Sequence, residues 1–223
     1  MEKEELEFQE VEKEERNIFW TIGKAILALM LVWGLVYFSG IRQYFFFRET
    51  PSDIEVPQME RVLDVEQKTI LVDVFLVREE VLGSDRDEAS IRSMINNSSS
   101  ILSQAGIDLE IDKVMNLDLE RGEVSELIGG GFYLIDLSEE RINIILVKTL
   151  GELNGLAYPN QNVAIMPDYL AGRDYRTLTH EVGHILGLGH KDDQRYVMNQ
   201  GSYGLLFSKE EVKIIRDRLD EKF

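Results

Sequence analysis

At 223 residues with 44% hydrophobic content, the chain is long enough to bury one sizeable core and still carry an appendage. A formal net charge of −17 argues against a nucleic-acid surface, which needs clustered Lys and Arg, and points instead to a solvated acidic exterior. The absence of cysteine excludes disulfides, zinc ribbons, cysteine nucleophiles and thiol-based latency.

Residues 1–17 are polar and rich in glutamate and read as an acidic tail. Residues 18–38 are apolar apart from Lys24; at about 1.5 Å per residue in a helix, such a run crosses a hydrocarbon core. Lys24 lies near the N-terminal end, where its stem can carry the ammonium to the headgroups. Trp20, Trp33, Tyr37 and Tyr44 fall towards the two ends, as interfacial aromatics do. A buried core helix and a cleaved signal peptide are the competing readings. Polar flanks oppose the first, and the poor small-residue spacing of Val36-Tyr37-Phe38-Ser39-Gly40 opposes the second. Residues 18–40 are therefore expected to be a transmembrane anchor with the lipid bilayer as partner. Lys13, Arg16 and Lys24 before the run, against Arg42 and Arg48 after it, favour an extracytoplasmic C-terminal domain. Residues 41–67 begin aromatic and basic, then carry Pro51 and Pro57 among charges, and read as a juxtamembrane linker.

The folded domain is expected over residues 68–223. Residues 69–77 are β-rich and nearly continuously apolar, the pattern of a central strand. Residues 87–105 carry Ile91, Met94, Ile95, Ile101 and Leu102 at helical spacing and stop at Gly106, although Asn96 to Ser100 has low helix propensity. Strands are expected over 107–114, 141–148, 155–159 and 162–166. Gly129-Gly130-Gly131 reads as a flexible loop; no Lys-Ser/Thr pair follows to make it a phosphate loop. Helices are expected over 173–186 and 208–219, the second with Ser208 as N-cap and Glu211 at the capping-box position. This order makes a single α/β (α+β) domain.

The chain's three histidines fall within His180-Glu181-Val182-Gly183-His184-Ile185-Leu186-Gly187-Leu188-Gly189-His190. On a helix, His180 and His184 share one face with Cβ atoms about 5–6 Å apart. Their nitrogens can therefore reach one zinc at about 2.0–2.1 Å each. Gly187 permits a sharp turn that brings His190 round as a third ligand. Three protein ligands leave a fourth position open, as in catalytic rather than structural zinc sites. Glu181 is better placed to touch a water at the metal than to ligate it, and a purely structural site gains nothing from it.

This stretch resembles the HExxHxxGxxH signature of the metzincin metalloproteases, and Met198, eight residues after His190, resembles their methionine turn. The length of the segment from His190 to Met198 and the acid at Asp193 are most similar to the matrixin branch. The resemblance implies a zincin-like domain with a mixed, mostly parallel sheet, an active-site helix and a C-terminal helix. It also implies one catalytic Zn2+ on His180, His184 and His190, with Glu181 as general base and acid in peptide-bond hydrolysis. A protein or peptide substrate would lie extended beside Gly155, Leu156, Ala157 and Tyr158, with Tyr203 able to offer a hydroxyl or simply to pack. The chain departs from that branch in lacking a latency cysteine and further zinc-binding histidines, and in carrying Gln200 two residues after the methionine. Calcium is a possibility on Asp168, Asp174, Asp192 and Asp193, though nothing beyond surface acidity indicates it. A catalytically silent zinc-binding or adhesion module is the alternative reading.

Overall fold

The computed structural model describes residues 66–168, 173–201 and 203–223. The expected tail, the expected anchor at 18–40 and most of the linker lie outside the described residues. Among the described residues, no helix is long and apolar enough to cross a membrane.

Five strands form one sheet: β1 (Lys68–Arg78), β2 (Ile107–Asp118), β3 (Ile142–Val147), β4 (Leu156–Tyr158) and β5 (Val163–Pro167), in the order β2-β1-β3-β5-β4. β1, β2, β3 and β5 run parallel, and β4 turns back antiparallel to β5 at one edge. The helices are α1 (Glu88–Leu102), α2 (Arg121–Ile128), α3 (Asp174–Ile185) and α4 (Lys209–Lys222).

The central strands read as unbroken apolar runs because the parallel sheet is covered on both faces; every residue of β3 is buried. On one face Phe75, Val77, Ile145, Val147, Val163 and Ile165 pack against Val124 and Leu127 of α2 and against Phe132. On the other face, α1 packs on β2 and on α3, and α3 reaches β4 and β5. The polar run of α1 is used rather than merely tolerated. Ser98 Oγ donates to the Tyr175 carbonyl of α3 at 2.8 Å, and Ser99 Oγ accepts from Leu109 N of β2 at 3.0 Å. Small hydroxyls here let two elements approach closely while satisfying their backbone groups. Gly106, at φ 76°, ends this segment as expected.

Two elements depart from the sequence reading. β2 continues to Asp118, four residues beyond its expected end, because β1 offers it a parallel partner as far as Arg78. Helix α2 was not expected at all. It is short, begins Arg121-Gly122, and is held by the Glu120 N–H donating to Glu123 Oε2 at 2.7 Å and by the burial of Val124 and Leu127.

Candidate metal centre and cleft

Helix α3 carries His180 and His184 on one face, and its end determines where His190 goes. Gly187 adopts φ 88°, a left-handed conformation open to glycine without a Cβ penalty. Its N–H donates to the His184 carbonyl at 3.0 Å, and the Leu188 N–H donates to the Gly183 carbonyl at 2.9 Å. This pair of bonds is a Schellman closure, which satisfies the last helical carbonyls while reversing the chain. The reversal brings the Leu188 carbonyl to 2.8 Å from His184 Nδ1 and swings His190 over the helix.

The three imidazoles converge. Each offers a nitrogen within 4.8 Å of the others, and they form the one such cluster of histidine and carboxylate groups among the described residues. His184 Nε2 and His190 Nε2 are 3.1 Å apart. Two nitrogens bound tetrahedrally to one zinc at about 2.0–2.1 Å each would be separated by about 3.3 Å, so this pair is already at ligand spacing.

Tautomers follow from the partners. His180 Nδ1 is 2.8 Å from the Val197 carbonyl and His184 Nδ1 is 2.8 Å from that of Leu188. A carbonyl oxygen only accepts, so both Nδ1 atoms carry the hydrogen and both Nε2 atoms present a lone pair. The Gln200 carboxamide nitrogen lies against the third imidazole, 3.0 Å from His190 Nδ1 and 3.3 Å from its Nε2. Burial is the main cause that holds His180 neutral, with its pKa lowered to about 4, and it lowers His184 as well. Neutral imidazoles with bare Nε2 atoms are what a zinc ion requires. The donor set therefore fits one zinc with a coordination position left open to the cleft.

Glu181 is buried, and that burial pushes its carboxyl up to about 7. Gly155 makes room for it: a Cβ on Gly155 would lie 2.6 Å from Glu181 Oε1. Met198 is fully buried beneath the centre, with its sulfur against Gly183. The turn that carries it is fastened by Lys191 N–H to the Met198 carbonyl at 2.9 Å and by a bridge between Tyr196 and Leu206.

A cleft of about 1060 Å³ runs past the cluster and is lined by all three histidines, Glu181, Gly155, Leu156, Ala157 and Tyr203, among others. Tyr203 stands at its rim, 65% exposed. Tyr158 is not in its wall. Its pairing with Val163 turns its ring to the opposite face of the sheet, where it packs edge-on against Phe132 and donates to the Ile128 carbonyl at 2.6 Å. Three of the four acids considered for calcium have partners of their own. Asp168 accepts from Ser84 Oγ and Asp85 N at 2.6 Å each and faces Arg86, which also pairs with Asp174 at 2.8 Å; Asp193 pairs with Arg195 at 2.7 Å.

Sequence reasoning did not find Arg176, Gln200 in its contact with His190, or the close approaches at Gly155 and Gly183. Only Gly183, a helix-disfavouring glycine between two histidines expected on a helix, left a trace that could have been followed.

No protein-family model matches the chain, and a sequence search of curated proteins finds no match. Solved structures do match. An archaemetzincin from Methanopyrus kandleri superposes with a TM-score of 0.51 at 17% identity, covering 69% of this chain and 96% of that one. The domain shares its fold. A protein in a chaperone–substrate complex superposes with a TM-score of 0.55 at 16% identity, covering 71% of this chain but 36% of that one.

Proposed function

We propose that the chain is a zinc-dependent endopeptidase of the matrixin branch of the metzincins. In this reading it is tethered by residues 18–40 with its catalytic domain outside the cytoplasm. The observation that carries the peptidase reading is the convergence of three imidazoles beside a buried glutamate in an open cleft.

When held by His180, His184 and His190, zinc supplies Lewis acidity that polarises a carbonyl and acidifies water. Glu181, with a pKa near neutrality, accepts the proton of the attacking water and delivers it to the departing amine. β4 pairs with β5 along one side only, so the main-chain groups of Leu156 and Ala157 on its other side are available to an extended peptide. Pairing of that kind is largely indifferent to side chains and suits a protein or peptide substrate. Tyr203, exposed at the rim, is placed to meet the substrate rather than the metal.

Cleavage of a quenched peptide library by the full chain tests the reading. Zinc-dependent cleavage that is lost with chelator, and lost in Glu181→Gln while zinc is retained, is the expected result. A zinc-loaded chain that cuts nothing would favour a silent binding module. Because the chain has no cysteine, single cysteines introduced on either side of residues 18–40 report orientation directly. Labelling of the C-terminal side from the cytoplasm would overturn the extracytoplasmic assignment.

A further inference from the structure

One turn before the first histidine, Arg176 is buried with 8% of its surface exposed. It lies four residues before His180, on the same face of α3. Its Nη2 donates to the Val197 carbonyl at 2.9 Å and to the Asn199 carbonyl at 2.6 Å, and its Nε donates to the Gly204 carbonyl at 3.3 Å. The Val197 oxygen is the one that accepts from His180 Nδ1. Two donors from successive turns of α3 therefore share one acceptor, which has two lone pairs to give.

The three carbonyls span the irregular segment that carries Met198 and continues into the cleft wall at Asn199, Gln200 and Tyr203. That segment folds tightly on itself, since a Cβ on Gly204 would fall 2.4 Å from the Arg195 carbonyl carbon. A planar guanidinium can grip several oxygens at once with fixed geometry; an ammonium cannot reproduce it. On the reading that the three histidines hold zinc, we infer that Arg176 is a positioning residue of the metal centre. By pinning the carbonyls of Val197, Asn199 and Gly204, it sets the tautomer and angle of His180 and the shape of the cleft wall together.

The test measures zinc affinity of the full chain by competition with a chromophoric chelator, for wild type, Arg176→Lys and Arg176→Met. Metal-free circular dichroism and melting run alongside. Nitrogen-15 NMR of the His180 ring in the metal-free protein adds a readout that a general packing role would not move. The expected result is a folded Arg176→Lys with zinc Kd raised about 10- to 100-fold, the range for lost outer-shell partners, and with His180 divided between two tautomers. A Kd within twofold of wild type with a single Nδ1–H tautomer would overturn the inference. If Arg176→Met does not fold, the Lys variant decides; loss of fold in both assigns the arginine a purely structural role and also overturns it. If the wild type binds no zinc while the tautomers still redistribute in Arg176→Lys, the metal reading fails and the positioning role survives.

Discussion

Gly183 and Met198 fit against each other with no room for a methyl group: a Cβ on Gly183 would lie 2.5 Å from the Met198 sulfur. The glycine sits between the two helical histidines, so the methionine reaches the helix backbone directly beneath the centre. Gly183→Ala adds helix propensity but forces the sulfur away, and overpacking of this kind costs about 1–3 kcal/mol. The expected outcome is a net loss of stability in urea unfolding, partly relieved when Met198→Ala is combined with it. Strict additivity of the two changes would mean that the residues do not press on each other.

Gly155→Ala addresses the catalytic carboxylate without touching a histidine. The new Cβ would lie 2.6 Å from Glu181 Oε1, so the carboxylate must move. Zinc affinity is expected to stay within twofold of wild type while kcat/KM falls at least about tenfold. The limit is the loss of general acid–base catalysis, about 10²- to 10⁴-fold. Unchanged activity would show that the position of Glu181 is not critical to the reaction.

Glu181 also predicts a pH dependence of the metal-free protein. Its carboxyl titrates at about 7 when folded, because of burial, against an ordinary value of 4.5. Between these values the folded state keeps a proton that the unfolded chain has released, so stability falls as pH rises through the window. The full effect is on the order of 3 kcal/mol at 1.36 kcal/mol per unit. His180 works the other way: its folded pKa is depressed to about 4, so its contribution is lost as pH falls from 6.5 towards 4. Glu181→Gln removes the first effect and leaves the second. Relative to wild type, the metal-free variant is expected to gain stability from pH 4.5 to pH 8. A difference independent of pH would place the carboxyl in water.

The parts legible in the sequence were those written locally. The spacing of His180 and His184, the turn at Gly187 and the pairing of Ser208 with Glu211 each depend on neighbours within a few residues, and the helix ends formed where these residues put them. Strands β1, β3 and β5 declared themselves because burial on both faces demands unbroken apolar runs. The last four residues of β2 did not, because Asn116 and Asp118 look like loop until β1 supplies their partner. The direction of the Tyr158 side chain was not legible for a related reason. Which face it takes depends on its register with Val163, not on its own sequence. Arg176 and Gln200 are separated from their partners by up to 28 residues, a distance no local pattern encodes.

Arg86 offers a stability test away from the catalytic groups. Its side chain is 8% exposed and reaches Asp168, itself 7% exposed, at 3.4 Å and Asp174 at 2.8 Å, and it donates to the Pro167 carbonyl at 3.2 Å. It thus ties the end of β5 to the first residue of α3, the helix that carries the ligands. Arg86→Met strands the buried Asp168 charge, which typically costs about 3–5 kcal/mol when one partner of a buried pair is removed. Asp168→Asn in the same chain neutralises that charge: the amide oxygen can keep the Asp85 N–H as donor, and the new NH2 can donate to Ser84 Oγ. The double variant is therefore expected to recover part of the loss in urea unfolding, with a coupling of about 0.5–3 kcal/mol. A double variant no more stable than Arg86→Met alone would mean that the arginine acts through the Pro167 carbonyl and Asp174, not through the Asp168 charge.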